Sequence, residues 1–147
     1  MLPIIKKTLT NFLLFFFSSF LFSESEDISI VIHGGAGWFS SMTEEEISGI
    51  ESALNKAADL GYKVMLEGGT SLDAVEQAII ILENNPLFNA GKGSVYTSEL
   101  KQEMDASIMD GSNLDAGAVA SVTSIKNPIT LATVSYTHLT LPTILLV

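Results

Sequence analysis

Pro86-Leu87-Phe88-Asn89-Ala90-Gly91-Lys92-Gly93 divides the chain into two unlike halves. Glycine in a helix or strand interior costs roughly 0.5–1 kcal/mol relative to alanine, so this stretch reads as a structured loop. Its proline ends the helical pattern before it, in which Leu72, Val75, Ile79 and Leu82 share one face and Thr70 or Ser71 supplies the cap. Further back, Thr43 and Glu46 form the Thr-x-x-Glu of a capping box, and three acids fill the first turn. Ile47, Ile50, Leu54, Ala57, Ala58 and Met65 continue that helix as an apolar stripe, which Gly61 weakens and Gly68-Gly69 stop.

Past the loop the period changes to two. Met104, Ala106 and Ile108 alternate with Glu103, Asp105 and Ser107, and Asp110-Gly111-Ser112-Asn113 makes a turn. Leu114 to Thr123 is then a second strand whose small side chains point to close packing beneath another layer. Asn127-Pro128 would introduce a third helix, yet Thr133 to Val147 carries no charged residue and Pro142 breaks any continuation, so no helix is expected there. Helices followed by a hairpin make an α+β fold.

Upstream, Ile28 to His33 is a β-branched run ending in His33-Gly34-Gly35-Ala36-Gly37, expected as a buried strand entering a tight turn. Three readings of that turn stand. A dinucleotide loop GxGxxG needs glycine where Ser40 stands. The oxyanion loop of α/β-hydrolases needs a G-x-S-x-G elbow, which no stretch supplies. The third is structural, with His33 as a hydrogen-bonded residue at the end of the strand. Glu44, Glu45 and Glu46 read as a solvated helix start, and Asp105, Asp110 and Asp115 as residues that cap turns.

The 147 residues allow one domain. Lys6 and Lys7 before Phe12–Phe22 (FLLFFFSSFLF), with Ser23 and Ser25 at −3 and −1 of a cut, lay out a secretory signal peptide over 1–25 and an exported protein. An uncleaved anchor is the competing reading, but spanning a bilayer takes about 20 apolar residues. A formal net charge of −10 argues against nucleic acid and anionic membrane surfaces as partners. The chain has no arginine, so a bidentate clamp for a substrate carboxylate must lie elsewhere. It has no cysteine, which excludes disulfides, thiolate metal sites and a cysteine nucleophile. Residues 133–147 resemble translated adapter sequence and read as a non-native tail, with a genuine C-terminal strand as the alternative; residues 26–132 are then the domain part.

Taken in order, the glycine turn, the Pro86–Gly93 loop and Met104-Asp105-Ala106-Ser107-Ile108-Met109-Asp110-Gly111 resemble the amino-terminal (α) part of the plant-type L-asparaginase/isoaspartyl peptidase family, over residues 30–132. The resemblance implies the αββα sandwich of N-terminal-nucleophile hydrolases, held here only in part. It implies hydrolysis of the side-chain amide of L-asparagine and of isoaspartyl dipeptides, with glycosylasparaginase as the alternative in the same family. It implies that His33, Gly34, Gly35 and Gly37 form a structural turn and that Asn89 supports the active site. No organic cofactor is implied, but a structural sodium ion is, on the main-chain carbonyls of Leu82, Glu83, Asn85, Phe88, Ala90 and Lys92. Such carbonyls suit a hard cation whatever their side chains. The family's nucleophile is a threonine freed by autocleavage within Gly-Thr-Val-Gly, its own α-amine serving as base. That context is absent: at Thr133-Val134, Ala132 and Ser135 replace the glycines. No catalytic residue is therefore expected in this chain, which by itself should be inactive. Its partners would be the small-molecule or dipeptide substrate, the β-part that completes the enzyme, and a second αβ unit in a homodimer. From another functional class, a non-catalytic secreted binding module would use the glycine loops to hold an anion or carbonyl ligand.

Overall fold

The computed structural model describes residues 28–37 and 39–138. The expected signal peptide over 1–25 and the last residues of the expected tail lie outside the described residues. Among the described residues no helix is long and apolar enough to cross a membrane.

Helix α1 spans Glu44–Leu66 and α2 spans Ser71–Glu83. Both start on reciprocal capping boxes. The Glu46 N–H donates to Thr43 Oγ1 at 3.2 Å while the Thr43 N–H donates to Glu46 Oε2 at 2.8 Å. Thr70, the cap of α2, repeats the pattern with Asp73 at 3.1 and 2.9 Å. At the end of α1 the Gly68 N–H reaches the Met65 carbonyl and the Gly69 N–H the Val64 carbonyl, with Gly68 at φ +89. This is a Schellman close, and it needs a left-handed residue.

The buried residues of these two helices are mostly small. Ala53, Ala57 and Gly61 of α1 and Ala74 and Ala78 of α2 are buried, whereas Val75 is exposed. Gly61 is not a weak point. A Cβ there would lie 3.1 Å from the Ala74 carbonyl oxygen and 2.5 Å from Ile30 Cδ1, so its missing side chain lets α2 and the 28–33 segment approach. The segment 28–33 also departs from expectation. Neither strand of the described sheet pairs with it, and Val31 is 95% exposed. A β-branched run sets the extended backbone, but only a lateral partner makes it a buried strand.

Strands β1, Met104–Met109, and β2, Ala116–Val122, form an antiparallel hairpin. The register shifts between Met104 and Ala106, where two residues of β2 face Asp105. This bulge leaves Ser121 at φ 53, and Asp105 Oδ1 accepts the displaced Ser121 N–H at 2.8 Å. Asp110 and Asp115 hold the turn, accepting from the N–H of Ser112 and from Asn113 Nδ2 respectively, as expected of turn-capping acids.

A third helix does form. Helix α3 spans Pro128–His138, so the chain is helical past Ala132, where a tail was expected to begin. Proline suits the first helical position. Thr133 and Thr137 donate their hydroxyls to the carbonyls of Ile129 and Val134, which absorbs their polarity within the helix. The layer expected above the small β2 residues is α3 itself. A Cβ at Gly117 would run into the Ala132 carbonyl and the Tyr136 N–H, so the bare backbone forms its seat. Ile108, Ile129 and Ala132 make the buried core, flanked by Leu72, Ile79, Ile80 and Val119. The fold is α+β: among the described residues α3 covers the two-stranded sheet, α2 packs beside α3, and α1 packs on α2.

Candidate functional site

Two segments about fifty residues apart enclose one cavity of about 700 Å³. On one side is the glycine turn, His33 to Gly37; on the other are Leu87, Phe88, Asn89 and Ala90 of the loop after α2. Ile50 and Leu54 of α1 and Ile79 and Leu82 of α2 supply an apolar floor. The two segments nearly touch, since a Cβ at Gly34 would sit 3.3 Å from Leu54 Cδ1 and 3.4 Å from Phe88 Cε1. Of the residues singled out in the sequence, the structure thus brings His33, Gly34, Gly35, Gly37, Leu82, Phe88, Asn89 and Ala90 to one cavity. Glu83, Asn85 and Lys92 do not line it.

His33 is exposed, and its Nδ1 accepts the Gly35 N–H at 3.0 Å. That bond places the neutral ring's proton on Nε2 and shapes the turn locally. Asn89 is also exposed, and its Oδ1 accepts the Val95 N–H at 3.0 Å, tying the loop to the chain that leaves it. Its Nδ2 makes no hydrogen bond with other described residues, so two donors remain at the cavity rim.

The loop holds itself by short-range bonds. Asn85, Phe88, Ala90 and Gly93 donate their N–H groups to the carbonyls of Leu82, Asn85, Phe88 and Ala90. The buried Ser94 closes it through Oγ to the Gly91 carbonyl at 2.8 Å, and Gln102 Nε2 donates to the Ser94 carbonyl at 2.6 Å. Two glycines make this possible. A Cβ at Gly91 would run into the Glu83 carbonyl, and one at Gly93 into the carbonyls of Phe88 and Pro86. The carbonyl oxygen of residue 83 thus lies against Gly91, and those of residues 86 and 88 against Gly93; carbonyl oxygen is the ligand type a hard cation takes. Groups of three or more His, Asp or Glu side chains able to hold a metal do not occur among the described residues.

Glu83 is 3% exposed. Its carboxylate accepts the Ile129 N–H and Asn127 Nδ2, each at 3.0 Å, and so caps α3 from the end of α2. Burial pushes its pKa up against the pull of those two donors, and nearby Glu76 adds to the rise. This side-chain role was missed in the sequence, as were Gln102 and the Pro86 carbonyl. The one available signal is a lone acid closing the apolar run Ala78-Ile79-Ile80-Ile81-Leu82, since a buried carboxylate demands partners.

A family model described as asparaginase matches residues 26–141, which takes in the turn, the loop, the hairpin and α3. The chain belongs to the asparaginase family. It is 50% identical over 105 residues to a plant-type L-asparaginase of Pyrococcus horikoshii, covering 71% of this chain and 33% of that protein. Against the isoaspartyl peptidase/L-asparaginase of Xenopus laevis it is 48% identical over 103 residues, covering 70% and 32%. The human protein of that same name is 49% identical over 104 residues, covering 70% and 33%. This asparaginase-family chain thus spans about one third of the length of the curated relatives it matches.

Proposed function

We propose that these residues are the amino-terminal α-part of an isoaspartyl peptidase/L-asparaginase, a hydrolase of the L-asparagine side-chain amide and of isoaspartyl dipeptides. The observation that carries this reading is the identity of about one half, over the stretch that builds the turn–loop cavity, to relatives named for both activities. In the proposed enzyme the described hairpin and helices are one portion of an αββα sandwich.

The chemistry needs a threonine whose own α-amine takes the hydroxyl proton. The oxygen then attacks the side-chain carbonyl, ammonia or the amino acid departs with the proton, and water frees the acyl group. This threonine would come from the β-part, and the chain by itself is expected to be inactive because it contains no Gly-Thr-Val-Gly stretch. The chain's own share is positional. Asn89, anchored through Oδ1 to Val95, would hold its loop and offer its Nδ2 donors toward the site. The carbonyls of the 82–92 turn would hold a sodium ion, which stiffens a loop and supplies no bond-making step. Export through residues 1–25 and pairing of αβ units as a homodimer complete the proposal.

The test replaces the homologous third of the Pyrococcus horikoshii relative with residues 28–132 and assays L-asparagine, a β-aspartyl dipeptide and a glycosylasparagine. Release of ammonia or free amino acid from the first two is expected. Turnover confined to glycosylasparagine would move the protein to the glycosylasparaginase branch. A folded chimera inert toward all three would sink the proposal.

A further inference from the structure

Residue 83 is referenced to two distant parts of the chain at once. Its carbonyl lies against the backbone of Gly91, where no Cβ fits. Its carboxylate, nearly sealed from solvent, accepts from Asn127 Nδ2 and the Ile129 N–H across sequence separations of 44 and 46. Asn127 Nδ2 also stands 3.5 Å from Asn84 Oδ1. No other described side-chain hydrogen bond joins the end of α2 to the start of α3. Orphan N–H groups of a helix start must be satisfied, and a buried carboxylate must be hydrogen-bonded. The two needs are met by a single contact, made by the residue from which the carbonyl loop departs.

We propose that Glu83 is a positioning residue for the carbonyl loop: by clamping the first turn of α3, its side chain fixes where its own carbonyl and the Gly91–Gly93 turn lie. That it thereby sets cation affinity rests on the sodium reading above; that it holds the loop does not. The chemistry permits a sharp test. In Glu83→Gln, one side-chain acceptor becomes a donor facing the Asn127 amide. In the double variant Glu83→Gln/Asn127→Asp, donor and acceptor are exchanged, and the new carboxylate at 127 can accept from the new amide at 83. Aspartate is also a good residue immediately before a helix.

Amide hydrogen exchange would be followed on the full 147-residue chain, with and without sodium chloride and with choline chloride as the control salt. In Glu83→Gln the amides of Phe88, Ala90, Gly93 and Ser94 should exchange about ten-fold faster or more, the scale of a lost hydrogen bond to a charged group. Amides in the middle of α1 should not change, and the sodium concentration that half-protects the loop should rise by a similar factor. The double variant should restore both. Unchanged loop exchange, an equal rise at every amide, or loop protection that the exchanged pair fails to restore would each overturn the proposal. If wild-type loop exchange ignores sodium while the variants behave as expected, the sodium reading fails and the positioning role stands.

Discussion

At Gly93 the carbonyl oxygens of Phe88 and Pro86 fill the space that a side chain would need. Gly93→Ala must push them apart, and overpacking of this kind costs about 1–3 kcal/mol. A lower urea midpoint at an unchanged m-value is the expected outcome. Asn89 gives a different signature. Asn89→Ala removes the acceptor for the exposed Val95 N–H, which water can replace, so the stability change should be no more than about 1 kcal/mol. Misplacement at a reacting centre is far more expensive than that. In the chimera, kcat/KM for a β-aspartyl dipeptide is expected to fall about 10–100-fold. Equal activity of the Asn89→Ala and parent chimeras would remove Asn89 from the site.

Among the elements, the capping box of α1 was legible because it is local: Thr43 with Glu46 is a pattern within one turn. The hairpin was legible because Met104, Ala106 and Ile108 alternate with polar neighbours. Helix α3 was not. Its sequence lacks charged residues and carries three threonines with the β-branched Ile129 and Val134, and it forms because Glu83 caps it from far away and Gly117 gives it a seat. Gly117→Ala should therefore cost about 1–3 kcal/mol by lifting α3 from the sheet, seen as lost exchange protection of α3 amides ahead of α1.

Thr70→Ala is expected to cost about 1 kcal/mol, measured by urea unfolding at pH 7. Hydrogen bonds from Thr70 hold the Asp73 carboxyl below its ordinary range, so that contribution is present above an unfolded pKa of about 3.9 and is lost as pH falls further. Glu83 has the opposite sign. With its folded pKa raised, the native state keeps a proton that the unfolded chain releases, and stability falls as pH rises from about 4.3 through the folded value. Urea midpoints from pH 3 to 7 should show Asp73→Asn reducing the acid-side loss, to which Glu46 and Asp110 also contribute, and Glu83→Gln removing the opposing slope.

For the molecule as a whole, the α+β arrangement followed from helical and alternating periodicity, but the site did not. Nothing in the spacing of His33–Gly37 and Pro86–Gly93 says that a strand-end turn meets a helix-end loop. Only the resemblance to a known family set the two segments in one order, and the structure puts both on one cavity. The 28–33 run illustrates the same limit, because its residues favour extended backbone while neither strand of the described sheet pairs with it. As the proposed α-part of a self-processing threonine hydrolase, residues 28–132 should support autocleavage, which the intact mass of the purified Pyrococcus chimera after prolonged incubation reads out. Two fragments, the second beginning at the threonine of the Gly-Thr-Val-Gly stretch, are the predicted result. A single uncut chain that is folded and soluble would show that these residues are not such an α-part.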